Sequence, residues 1–292
     1  MEQTKEMKIA MRVSAVSIVV NLALSAFKLL SGIVAGSGAM ISDAVHSASD
    51  VFSTFIVIIG VRISGRKSDV EHPYGHERME CVASIVLAVI LAATGLGIGA
   101  EGIRKILEGN YETLAVPGRL ALAAAVISIV VKEWMYWYTR AAARKIRSGA
   151  MMADAWHHRS DALSSIGAFA GILGARMGFP KADSAASVVI CLFILKAAVD
   201  IFKDAMEKMV DKSCDQEMVA RMTEMVENSP GVERVDDIRT RMFGAKAYVD
   251  IEIAVDGDML LKDAHRIAET VHESVEGKFD LVKHCMVHVN PR

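Results

Sequence analysis

The segment Asp43-Ala-Val-His46-Ser-Ala-Ser-Asp50 recurs as Asp154-Ala-Trp-His157-His158-Arg159-Ser-Asp161, with five of eight positions identical in a D-A-x-H-x-x-S-D pattern. Helix positions three, four and seven apart share a face, so each copy lays Asp, His and Asp along one stripe. Two imidazoles and two carboxylates form an N2O2 donor set, which a tetrahedral divalent ion such as zinc accepts; magnesium, calcium and manganese prefer oxygen-richer shells. Each copy lies in or beside a long apolar stretch, where an ionised Asp costs about 2.5–3.5 kcal/mol on insertion scales and rarely sits without a task. A lone histidine on an apolar face is ordinarily a satisfied core residue. Two His-x-x-x-Asp pairs in matching contexts instead predict a metal site at membrane depth, built from His46, Asp50, His157 and Asp161. The leading Asp43 and Asp154 leave two readings open: helix-start residues, or relays for ions entering and leaving. His158 and Arg159 fall on another face, and Arg159, always charged, needs a carboxylate partner or a wet cavity.

A second group follows in Asp69-Val-Glu71-His72-Pro-Tyr-Gly75-His76-Glu77-Arg78. Asp69, His72 and His76 have metal-ligand spacing, and Gly75 allows the backbone to turn between the two histidines.

These groups must be held by the elements around them. The 292 residues are 52% apolar and 6% aromatic, and a net charge of −2 gives no reason to expect nucleic acid. Distribution is more telling than composition. Cys81 to Ala100 runs 20 residues without a charge, about the length that crosses roughly 30 Å of hydrocarbon. Six apolar segments can be drawn, near 10–36, 39–64, 79–106, 114–139, 150–177 and 182–207. The second and fifth are included because each octapeptide leads into an apolar run, at 51–61 and 162–175. The start, MEQTKEMKIAMR, has no cleavable signal pattern, so the first span is expected to be retained. Cys81, Cys191, Cys214 and Cys285 lack C-x-x-C spacing, which argues against a zinc finger or a disulfide framework.

The basic stretches are the N-terminus, 62–67 and 140–147, whereas 35–39 carries no charge. The positive-inside rule then puts both termini in the cytoplasm of a cell-membrane protein. Span two would run inward and span five outward, so the two octapeptides lie antiparallel, as in the inverted symmetry of transporter sites. Trp134, Tyr136, Trp137 and Tyr138 suit either an inner aromatic belt or helix packing. After residue 207 the composition becomes polar. An amphipathic helix at 211–228, a Ser-Pro-Gly turn, strands at 235–241 and 247–255, a helix at 259–276 and a strand at 282–289 predict an α-β-β-α-β layer. The expected architecture is a six-helix, all-α transmembrane domain over 1–207, followed by a cytoplasmic α+β domain of ferredoxin-like order over 208–292.

Three other functions fit less well. An intramembrane metalloprotease would need H-E-x-x-H, which is absent, and a general-base glutamate adjoining His46 or His157, where none stands. A channel has no use for a tight N2O2 cage, and a metal sensor would not explain ligands at membrane depth.

Together, the His46/Asp50 and His157/Asp161 pairs, the Asp69…His72-Pro-Tyr-Gly-His76 loop, six spans and a short α+β tail resemble the cation diffusion facilitator family over nearly the whole chain. The resemblance implies a homodimer that exports divalent metal from the cytoplasm in exchange for protons. It makes His46, Asp50, His157 and Asp161 the transport site, and Asp69, His72 and His76 a site at the membrane–cytoplasm junction. Members with His-x-x-x-Asp on both helices are typically zinc exporters, with cobalt, cadmium, iron and manganese the other candidate cargoes. Some relatives hold a two-zinc cluster in the cytoplasmic domain, at positions that here look like Asp236, Glu252, His265, His288 and Asn290. Asn290 at the bridging place argues against two metals and leaves one regulatory site, using His265, His288 and Glu252. Arg78 and Asp211 match the family's dimer charge interlock. No cofactor is implied beyond the transported or bound metal.

Overall fold

A computed structural model of the chain describes residues 2–35, 38–108, 119–176 and 182–292. Its elements are α1 (Glu2–Ala35), α2 (Gly38–Ser64), α3 (Met79–Glu108), α4 (Arg119–Lys145), α5 (Gly149–Arg176), α6 (Ala182–Met209), α7 (Gln216–Glu227), β1 (Arg234–Phe243), β2 (Lys246–Val255), α8 (Leu261–Lys278) and β3 (Val282–Pro291). They form two compact units, Met1–Ala205 and Met206–Arg292.

In the first unit the six long helices have 27 to 34 residues each. At 1.5 Å per residue even the shortest is about 40 Å long, enough for the hydrocarbon layer. By length and composition, two stretches of the described residues pass as spans on their own, Lys5–Ser31 and Met79–Glu108. The basic residues at the end of the fourth segment are not in a loop. Arg140, Arg144 and Lys145 ride on α4, because Ala141-Ala-Ala143 continues the helix at almost no side-chain entropy cost. The expected start of the fourth segment, 114–118, lies outside the described residues.

Small side chains let the helices approach closely. Ala10 and Val13 of α1, Val57 and Val61 of α2, Ala83 and Leu87 of α3, Ala143 of α4 and Ala150, Met151 and Ala153 of α5 make one buried cluster. A Cβ added at Gly60 would fall 2.4 Å from the Ala83 Cβ, so α2 and α3 meet where only a glycine fits. A second cluster joins Leu91 of α3 to Ile194, Ala197 and Ala198 of α6.

The second unit is a three-stranded sheet in the order β1-β2-β3, with β1 and β2 antiparallel and β2 and β3 parallel. The parallel pair needs a crossover, and α8 supplies it. Val249, Ile251, Ile253 and Val255 alternate onto one face of β2 and pack on Met222 and Val226 of α7 and Ala264, Val271 and Val275 of α8. Both helices therefore cover the same face. The expected 211–228 helix begins later, at Gln216, because Asp211 has a φ of 62° and an L-residue in the left-handed region breaks a right-handed helix.

Met222 is fully buried in this core. Met222→Ala is expected to cost about 2–5 kcal/mol. In hydrogen exchange on the purified full chain, β2 amides should then exchange roughly 30-fold faster or more. Unchanged exchange would show that the core does not rest on this side chain.

Candidate metal centre

Three of the four residues in the two His-x-x-x-Asp pairs converge. Asp50 on α2 and His157 and Asp161 on α5 are buried, with one ligand atom from each within 4.8 Å of the others. His157 Nε2 lies 3.4 Å from Asp50 Oδ1. A tetrahedral shell with bonds of about 2.0–2.2 Å has ligand–ligand edges of roughly 3.3–3.6 Å, so this separation suits a shared ion. His46 and Asp43 stand on α2, and their side chains lie outside the described residues.

A third helix enters the site. Lys132 of α4, 2% exposed, places its ammonium 2.5 Å from Asp50 Oδ2 and 2.9 Å from Asp161 Oδ2. It also donates to Asn21 Oδ1 on α1 at 3.0 Å. Four helices thus contribute polar groups to one buried point. Such groups are tolerated away from water only when paired this closely.

Asp154 does not start a helix. Helix α5 begins at Gly149 and carries no acidic residue in its first turn, and the same holds for Asp43 on α2, which begins at Gly38. The helix-start reading of both residues is therefore corrected: small Gly-Ala starts set the boundaries earlier than the octapeptides. The hydroxyls of Ser53 and Thr54 of α2 lie 3.4 and 3.5 Å from Asp154, which also faces His158 Nε2 at 3.6 Å. Ser17 of α1 lies 2.9 Å from that same nitrogen. The second polar network so formed is buried next to the first.

The partner that Arg159 needs is on α4. Glu133 lies 3.7 Å away, and the guanidinium sits 4.4 Å from the centre of the Tyr136 ring. Tyr136 is fully buried while Trp134 and Trp137 are about half exposed, so the aromatic group serves packing and surface at once.

The loop before α3 closes on itself as its spacing implies. Asp69 Oδ1 is 3.3 Å from His72 Nδ1, and Asp69 Oδ2 is 3.4 Å from His76 Nε2. Gly75 has a φ of 99°, which permits the turn between the histidines. The backbone N–H of His72 donates to Asp69, and this, with the imidazoles nearby, holds the carboxyl below the usual carboxylate range. Asp69, His72 and His76 are all within ligand distance of one another.

In the second unit the expected set does not gather as a trio among the described residues. Asp236 is engaged by Arg234 and Asn290, Glu252 is paired with His288 across the β2–β3 register, and His265 is exposed on α8. Arg78 precedes α3 in the first unit, and Asp211 sits in the turn after α6 in the second.

Comparison with known proteins bears on what this arrangement serves. Residues 14–210 match the family model described as "Cation efflux transmembrane domain", and residues 214–292 match a dimerisation-domain model described as "Cation efflux protein, cytoplasmic domain". The chain belongs to the cation diffusion facilitator family. It is 31% identical to the manganese efflux system protein MneP of Bacillus subtilis, over 97% of both chains. It is 30% identical to the magnetosome protein MamB of a Magnetospira strain, over 93% of this chain and 92% of that one. It is also 34% identical to the uncharacterized transporter MJ0449 of Methanocaldococcus jannaschii, over 94% and 95%. This cation diffusion facilitator is therefore a metal-cation transporter of the membrane and not an enzyme, with a small α+β domain following its helical part.

Within it, Lys132 is the site residue that motif reading passes over. In the sequence it only interrupts an apolar segment. The signal that could have found it is the one used for Asp50: an ionisable group at membrane depth needs a partner there. Lys132→Met would leave two facing carboxylates without their ammonium, a loss of about 3–5 kcal/mol for a broken buried pair. The expected result is a lower melting temperature without metal and a larger stabilising shift on adding divalent metal than in the unaltered protein. Equal shifts in the two proteins would show that the ammonium and the metal do not share the carboxylates.

Proposed function

We propose that this chain exports divalent transition-metal ions from the cytoplasm by proton-coupled alternating access, with His46, Asp50, His157 and Asp161 as the transport site. The observation that carries the reading is the meeting of Asp50, His157 and Asp161 from two helices inside a helical unit. Metal binding requires neutral imidazole and ionised carboxylate, so protons and metal compete for the same atoms. Imidazole has a reference pKa of about 6.5, which makes proton exchange near cytoplasmic pH easy. Metal enters from the inside, protons replace it when the site faces out, and the proton gradient drives the cycle. Asp154, in its buried network beside the site, is suited to relay ions, with Asp43 as its counterpart on α2. Asp69, His72 and His76 form a second binding group at the cytoplasmic junction. Both termini face the cytoplasm on the strength of the basic stretches.

The N2O2 set favours zinc, with cobalt, cadmium and iron as near competitors. Manganese is the second reading, favoured by the full-length similarity to MneP and to another Bacillus subtilis protein named for manganese efflux, MneS, at 32% identity. Its preference for oxygen-rich shells weighs against it here.

Proteoliposome flux tests both parts. His157→Ala and Asp50→Ala are expected to abolish metal uptake while leaving a folded dimer; full activity in either would overturn the site assignment. In competition between metals at two inside pH values, zinc is expected to suppress manganese flux, and the lower pH to weaken metal binding on the protonated side. Manganese suppressing zinc would give the second reading.

A further inference from the structure

The last two turns of α8 and the start of β3 bring together three ligand atoms that no sequence motif joins. His272 Nε2 and His284 Nδ1 each lie 3.3 Å from the same atom, Glu276 Oε1. The three side chains offer atoms within 4.8 Å of one another. Both 3.3 Å separations exceed the N–H···O hydrogen-bond range of about 2.7–3.2 Å. They match the edge of a tetrahedral shell, roughly 3.3–3.6 Å for zinc-like bonds.

The surroundings fix how each group is presented. His272 Nδ1 lies 2.6 Å from the Cys285 carbonyl oxygen and donates its proton there, which makes Nε2, the nitrogen beside the Glu276 carboxylate, the one available to a metal. A backbone carbonyl holding the far ring nitrogen is the outer contact that metal-ligating histidines usually have. The backbone N–H of Cys285 donates to Glu276 Oε1 at 3.0 Å and so holds the carboxylate in place. The Cys285 thiol is not part of the set: it is fully buried, and burial together with nearby Glu276 pushes it up to about 12. The three side chains are 32–46% exposed, which leaves room for water to complete a coordination shell.

We propose that His272, Glu276 and His284 form a divalent-metal site that takes a borderline ion such as zinc, cobalt or nickel and clamps the end of α8 to β3. The two imidazoles select such ions over magnesium, calcium or manganese. The site shares no residue with Asp236, Glu252, His265 and His288, and it does not depend on the transport reading.

Equilibrium dialysis of the purified full chain against zinc is the test. His284→Ala and Glu276→Gln should each remove one bound equivalent per chain, or weaken it at least tenfold. His157→Ala should remove a different equivalent, so that combining it with His284→Ala removes two. Glu276→Gln is nearly isosteric and keeps an acceptor for the Cys285 N–H, which guards against a folding artefact. In the unaltered protein, zinc should slow hydrogen exchange over residues 272–288, and this protection should vanish in Glu276→Gln. Unchanged stoichiometry and affinity in both variants would overturn the proposal, as would zinc leaving exchange over residues 272–288 unaltered.

Discussion

The first unit depends on a lysine and two aspartates that cannot be buried separately. Each charge alone would cost several kcal/mol inside the helix bundle. With the Lys132 ammonium between Asp50 and Asp161, each offsets the others. For that to happen, α2, α4 and α5 must pack at one depth and rotation, and Asn21 brings α1 to the same point. The small side chains along the helices serve this end. Gly60 against Ala83, and the alanines at 10, 143, 150 and 153, let the backbones come close enough for short polar side chains to meet.

The same arrangement sets the charge balance at this buried point. Two facing carboxylates without a cation would repel each other or take up protons. A tethered ammonium holds them together, yet it brings one positive charge where a divalent ion brings two. A second buried network, of Asp154, His158, Ser17, Ser53 and Thr54, joins α1, α2 and α5.

The cytoplasmic unit is built on different principles. Its core is a strand with one continuous apolar face, Val249, Ile251, Ile253 and Val255, covered by two amphipathic helices. The end of the α8 crossover and the start of β3 must lie side by side because β2 and β3 are parallel neighbours. That topology, and not the spacing of its histidines, brings His272, Glu276 and His284 together.

Helix-scale features were determined by the sequence alone. Period and apolar length marked the long helices and the α-β-β-α-β order, and they erred mainly at boundaries, as at 211–216 and at the basic end of α4. Candidate ligands four apart on one helix, or three to seven apart in one loop, were legible because local geometry alone brings Asp69, His72 and His76 together and puts His157 and Asp161 on one face. What joins residues far apart in the chain was decided only by the tertiary structure. Lys132 meets Asp50 and Asp161, Glu133 meets Arg159, and His284 meets α8, each through packing between elements. A single charged residue in an apolar segment states that a partner is required. It does not say which helix carries that partner, because the choice is made by the depth and rotation at which helices pack, and those are properties of the whole bundle.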